Sequence, residues 1–209
     1  MSLPNRPTKI LCVGRNYRAH AEELGQDVPT EPLIFLKPPS SLLANGDAIR
    51  LPRGAGRVDH EGEIAVVVGR RAHRVGEDEA FSYLAGVVPA NDVTARDLQR
   101  KDSQWTRAKG FDTFCPVGEP VPLDPEEWPD LVVRTRVNGE LRQEGRVSDL
   151  VFSLPFLLAY VTRIMTLEPG DLLLTGSPPG VAPLQAGDRV EVEIPGVGTV
   201  ENPVEEASA

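Results

Sequence analysis

Apolar and polar positions along the chain fall into short blocks rather than long helical stripes. Residues 9–13, 33–36 and 48–51 read as short strands, with a Pro- and Ser-rich loop at 38–41 between the last two. The β-branched run 64–68 predicts a buried strand, and 86–91 a further extended segment. Asn138-Gly139 between extended flanks at 134–143 predicts a hairpin. Strands follow at 171–174 and 189–194, with a turn at 195–198. Helical periodicity is confined to 17–24, closed by Gly25, to 77–84, and to 153–165, where Ser153 is a plausible N-cap and Pro155 stands in the first turn. With 20 Pro and 19 Gly, and no strand–helix alternation, this order predicts a β-dominated α+β domain rather than a doubly wound sheet. One domain over 1–204 is expected, with a frayed tail at 205–209.

The strand at 64–68 is entered through Asp59-His60-Glu61-Gly62-Glu63. Side chains alternate along a strand, so Glu61 and Glu63 share a face that continues into Ala65 and Val67. Two like charges at the entry to an apolar face repel, and burial raises that cost. A divalent cation between them would offset both effects, and oxygen ligands without Cys or paired His favour Mg²⁺, Mn²⁺ or Ca²⁺ over Zn²⁺. The alternative is a strand whose first residues are exposed, with both carboxylates hydrated.

Composition narrows the partners. A net charge of −9 argues against nucleic acid or an anionic membrane surface. No apolar stretch approaches the ~20 residues that cross a bilayer, and the N-terminus lacks a signal-peptide apolar core, so a soluble cytoplasmic protein is expected. Cys12 and Cys115 fit no metal spacing and are expected to stay reduced.

Four further segments carry candidate chemistry. Asp92 follows the extended segment 86–91 and would complete a set of oxygen ligands with Glu61 and Glu63; equally, Asp92 or Thr94 could cap a helix starting near Ala95. His20 and Glu23 lie three apart on one helical face, where a carboxylate can fix an imidazole tautomer, although surface helices carry such pairs often. Lys109, beside Gly110, could reach an anionic ligand or could be a solvated surface lysine. Thr175-Gly176-Ser177-Pro178-Pro179-Gly180 offers hydroxyls and N–H groups but lacks the Gly-Lys-Ser/Thr ending of a P-loop.

Together, the order and spacing of Cys12-Val13-Gly14-Arg15-Asn16-Tyr17, Phe35-Leu36-Lys37-Pro38, Asp59-His60-Glu61-Gly62-Glu63, Thr94-Ala95-Arg96-Asp97, Ala108-Lys109-Gly110-Phe111, Val137-Asn138-Gly139-Glu140, Leu174-Thr175-Gly176-Ser177-Pro178 and Gly187-Asp188 resemble the fumarylacetoacetate hydrolase family, nearest its acylpyruvase and oxaloacetate decarboxylase branch. The resemblance implies a mixed β-sandwich roll, a homodimer, and a small keto-acid substrate. It implies Mg²⁺ or Mn²⁺ on Glu61, Glu63 and Asp92, a lid-borne His20–Glu23 dyad, Lys109 at the substrate, and Arg15, Arg96, Gln99 and Ser177 as further substrate contacts. Thr usually stands where Ser177 is, and the segment between Gln99 and Trp105 is shorter than in close relatives.

The expected reaction is C–C cleavage of a β-dicarbonyl acid, by acylpyruvate hydrolysis or oxaloacetate decarboxylation, through a pyruvate enolate whose charge the metal stabilises. In hydrolysis the dyad would activate water; decarboxylation needs none. The alternatives are an isomerase or decarboxylase of unsaturated dioic acids and, remotely, a non-catalytic metal-binding protein.

Overall fold

The structure is a computed structural model describing residues 6–23, 25 and 27–207. The chain runs β1 (Ile10–Gly14), α1 (Arg18–Glu23), β2 (Leu33–Lys37), β3 (Leu42–Leu43), β4 (Ile49–Leu51), β5 (Val58–Asp59) and β6 (Gly62–Val68). It continues through β7 (Leu84–Asn91), β8 (Thr94–Ala95), α2 (Arg96–Lys101), α3 (Thr106–Lys109), β9 (Cys115–Pro116), β10 (Val132–Val137) and β11 (Glu140–Arg146). The last elements are α4 (Leu154–Ile164), β12 (Leu172–Leu174), β13 (Arg189–Ile194) and β14 (Gly198–Glu206).

Two mixed sheets dominate, as the β-rich α+β reading requires. One has the order β2-β1-β12-β6-β7 and the other β11-β10-β13-β14-β4. β6 is buried at every residue, and alternation sorts its side chains. Ile64, Val66 and Val68 join α4 residues Leu154, Leu157, Leu158 and Val161 and the second sheet's Val192, Ile194 and Val200 in one core. Ala65 and Val67 face the opposite way, onto Ile10, Cys12, Val88 and Leu174. Full burial of each Val or Ile contributes about 1.5–3 kcal/mol, so slipping β6 by one residue would invert both cores.

Local signals explain several boundaries. Asn138 and Gly139 take φ of 53° and 82°, the left-handed pair that a two-residue hairpin turn needs, and join β10 to β11. Ser153 Oγ accepts the Phe156 N–H at the start of α4. Gly25, φ 65°, follows α1, and its N–H donates to Glu22 O; Leu24, placed in the expected helix, lies outside the described residues.

Three expectations are corrected. The segment Glu77–Tyr83 is a 3₁₀ helix rather than an α-helix, held by i→i+3 bonds such as Glu79 N–H to Gly76 O. Neither Asp92 nor Thr94 caps α2, whose N-cap is Ala95 with no side-chain bond. Glu205 and Glu206 do not fray: they extend β14 in parallel pairing with Arg50 and Leu51 of β4. That pairing supplies backbone partners that the sequence near the terminus does not reveal. Ser208 and Ala209 lie outside the described residues.

Candidate active site

The antiparallel register of β6 and β7 sets Gly62 opposite Asn91 and Glu63 opposite Ala90. Where this ladder ends, Asp92 N–H donates to Glu61 O at 2.8 Å, and Asn91 Oδ1 accepts the Glu61 N–H at 2.9 Å. Two segments thirty residues apart are thereby locked side by side. Glu61, Glu63 and Asp92 each bring a carboxylate oxygen within 4.8 Å of the other two. All three are buried, so the exposed, hydrated reading of Glu61 and Glu63 is corrected: the second sheet and the segment 176–180 roof the strand entry.

The cluster is held by cations. Lys109 Nζ lies 2.5 Å from both Glu61 Oε2 and Asp92 Oδ2, and 5.0 Å from the centre of the Phe35 ring. Only 2% exposed, it is no surface lysine; α3 carries it inward. Lys37, at the inner end of β2, donates to Asp92 Oδ1 at 2.6 Å. Arg96 bonds Asp59 through Nε at 2.8 Å, Gln99 through Nη1 at 2.8 Å and Glu61 through Nη2 at 2.5 Å.

Electrostatics separates the carboxylates. For Glu61, burial pushes the pKa up, but Arg96 and Lys109 outweigh it and hold the group well below the ordinary range. For Glu63, burial and then the charges of Asp92 and Glu61 drive the pKa well above that range, against Lys109 and the Gly176 N–H at 2.7 Å. Burial lowers the Lys109 pKa, yet Asp92 and Glu61 more than restore it, so its ammonium stays charged. A buried carboxylate destabilised by two others, in an all-oxygen donor set, is the environment a hard divalent cation would relieve. Glu61, Glu63 and Asp92 would hold it.

The cluster floors a cavity of about 380 Å³. His20 reaches it from α1, with Nε2 at 3.6 Å from Glu61 Oε1 and Nδ1 at 3.1 Å from Glu23 Oε2. Glu23 is anchored in turn by the Gly180 N–H, at 2.9 and 3.1 Å from its two oxygens. Because a carboxylate only accepts, the Nδ1 contact places a proton on Nδ1, while Nε2 faces Glu61 at a distance beyond a hydrogen bond. Phe35 and Trp105, edge to face at 5.3 Å, form an aromatic wall, and Gly14 leaves room for the Trp105 ring. Arg15, Gln99 and Ser177 also line the cavity. Arg15 adopts φ 58°, and its buried Nε has no partner. All ten residues singled out from the sequence therefore border or buttress one cavity.

Sequence reasoning missed Lys37, Asp59, Thr94 and Gln143. Thr94 Oγ1 lies 2.7 Å from Asp92 O and 3.2 Å from Glu61 Oε2. A lysine inside an apolar strand was the one available signal for Lys37. The two cysteines are free and buried, and burial pushes the Cys115 thiol up to about 12, which argues against a thiolate role.

The sequence family described as fumarylacetoacetate (FAA) hydrolase C-terminal matches residues 9–205. The mitochondrial oxaloacetate tautomerase FAHD1 of Arabidopsis thaliana is 46% identical over 203 residues, covering 95% of this chain and 91% of its own. Oxaloacetate tautomerase YisK of Bacillus subtilis is 39% identical over 215 residues, covering 97% and 71%. Among solved structures, 5-carboxymethyl-2-hydroxymuconate delta-isomerase from Mycobacterium smegmatis superposes with a TM-score of 0.90 at 44% identity, covering 99% of this chain and 82% of that one.

Proposed function

The chain belongs to the fumarylacetoacetate hydrolase C-terminal family, and from that premise we propose that it is a Mg²⁺- or Mn²⁺-dependent enzyme that forms and discharges the enolate of a small dianionic 2-oxo acid. Keto–enol tautomerisation of oxaloacetate is the first reading, supported by the named relatives. The observation that carries the reading is the buried carboxylate triad with the His20–Glu23 pair against it. Charge balance favours a dianion. The carboxylates of Glu23, Asp59, Glu61, Glu63 and Asp92 are matched in number by the cations of Arg15, Lys37, Arg57, Arg96 and Lys109. A divalent ion leaves further positive charge for two substrate carboxylates to neutralise.

Bound at the triad, the ion would supply Lewis acidity that favours negative charge on the 2-oxo oxygen. The chain's own residues do the rest. Glu23 holds His20 with its Nδ1 protonated, so Nε2 can take a proton from substrate C3 and deliver it to the 2-oxo oxygen, giving the enol, or carry it the other way to give the keto form. Lys109 keeps its charge beside the developing oxyanion, and Arg15 extends a cation along the cavity. Phe35 and Trp105 exclude water from one side.

The second reading is C–C cleavage, which sequence reasoning placed first. It uses the same enolate. Glu23, fixed by Gly180, would let His20 activate water against an acylpyruvate, whereas oxaloacetate would lose CO₂ without it. The deciding assay follows ultraviolet decay of enol-oxaloacetate and release of pyruvate from oxaloacetate, acetylpyruvate and fumarylpyruvate, with each metal. Enol decay above the metal-only rate without matching pyruvate supports tautomerisation. Pyruvate release as fast as enol loss supports cleavage. Inactivity on the whole panel ends both.

A further inference from the structure

The segment 176–180 touches three parts of the site. Gly176 N–H donates to Glu63, Ser177 lines the cavity, and Gly180 N–H donates to Glu23. Gln143 of β11, 1% exposed, pins this segment from the second sheet. The backbone settles which way its amide points. Gly62 N–H, 3.0 Å from one terminal atom, can only donate, so that atom is Oε1. His60 Nδ1, 2.8 Å from the same oxygen, must also donate. The other terminus is therefore the NH₂, and its two hydrogens go to Pro178 O at 2.7 Å and Ser177 Oγ at 2.8 Å. A hydroxyl has one hydrogen of its own to donate. Its protein acceptor, Pro178 O, is 3.3 Å away, at the long edge of a hydrogen bond, and that carbonyl also takes the shorter bond from Gln143. A ligand oxygen in the cavity that Ser177 lines can therefore offer its proton a shorter bond than the protein does.

We infer that Gln143 is a positioning residue: it makes Ser177 a one-way donor toward an anionic oxygen of the ligand, and His60 and Gly62 hold Gln143 in the orientation that does so. This rests on the reading of the cavity as a site for a small anionic 2-oxo acid.

The test uses the full chain loaded with Mg²⁺ and the unreactive dianion oxalate, with affinity read by calorimetry and the thermal midpoint measured alongside. Ser177→Ala should weaken oxalate about 10-fold or more, and Ser177→Thr, which keeps the hydroxyl, should stay near wild type. Gln143→Met removes the NH₂ without adding charge, so Ser177 is free to turn its proton away from the cavity, and the loss should equal that of Ser177→Ala. The double variant should be no weaker than either single one. A Gln143 that only supports the fold would instead multiply its loss with that of Ser177→Ala, and that result overturns the inference. If Gln143→Met does not fold, Gln143→Leu enters the same cycle. Wild-type affinity in Ser177→Ala overturns the inference whatever the Gln143 variants do. Failure of wild type to bind oxalate overturns the reading of the cavity itself, and the inference with it.

Discussion

Replacing Glu63 with Gln should stabilise the metal-free protein and abolish its response to metal. Two full charges 4.8 Å apart repel by about 3.5 kcal/mol at an effective dielectric of about 20. Buried beside two such charges, Asp92 and Glu61, Glu63 has a raised pKa, so the folded protein must either bear that repulsion or take up a proton that the unfolded chain does not hold at pH 7. Lys109 offsets part of this, and the amide oxygen of Gln keeps the Gly176 N–H bond, so removal of the charge should recover about 1–2 kcal/mol. In EDTA that is a rise in thermal midpoint of about 3–6 °C for a chain of this size. Wild type with Mg²⁺ at about 100 times its dissociation constant should gain about 2.7 kcal/mol, whereas Glu63→Gln at the same concentration should gain almost nothing. Scanning calorimetry of both proteins, with and without Mg²⁺, reads all four values. A Glu63→Gln protein less stable than wild type in EDTA would refute the argument from like charge. An undiminished Mg²⁺ shift would show that Glu63 is not a ligand.

Other expectations follow from the same geometry. His20→Ala should lower turnover of the best substrate by about 10²-fold or more, and Glu23→Gln by less, because it removes the tautomer lock but not the base; equal losses would show that the pair acts only by positioning. Lys109→Met should cost more than a surface lysine does, and Lys109→Arg should not rescue kcat/KM, because a planar fork cannot span two carboxylates at 2.5 Å as a point charge does; full activity in Lys109→Arg would count against this. Asp171 accepts the N–H groups of Thr8, Lys9 and Glu168 and the Lys9 ammonium, and these bonds hold its pKa below the ordinary value against burial. A depressed pKa contributes stability in full above the unfolded value of about 4 and loses it as pH falls through the folded value. Asp171→Asn should thus unfold more easily by about 2–3 kcal/mol at pH 7 in denaturant titration, with the gap closing in acid; a gap that persists to pH 2 would contradict the linkage.

Local chemistry made much of the fold legible. Alternation placed Glu61 and Glu63 with Ala65 and Val67, Asn138-Gly139 marked its hairpin, and Ser153 marked the start of α4. What stayed hidden depends on distant partners. β14, with Asn202 and Pro203 inside it, lacks a clear strand pattern and is specified by β13 on one side and β4 on the other. Lys37 is marked locally only by standing in an apolar strand, and Gln143 by nothing, because their roles exist only where strands far apart in sequence converge. The choice between Asp92 as ligand and as cap could not be made from its neighbours; the β6–β7 register decides where its carboxylate lies.

The cavity is divided between two kinds of backbone. Its floor of carboxylates stands at the end of the β6–β7 ladder, where every residue is committed to pairing on one side and to two cores on the other. Much of its wall comes from α1 and from the Arg96–Lys109 stretch, which carry little of the core, while Phe35 of β2 and Ser177 close the rest. Apart from Arg96 and Lys109, which bond the floor carboxylates, these wall residues can change without disturbing the floor. A fixed cluster of charges with replaceable surroundings lets the shape of the cavity change while the fold beneath it stays the same.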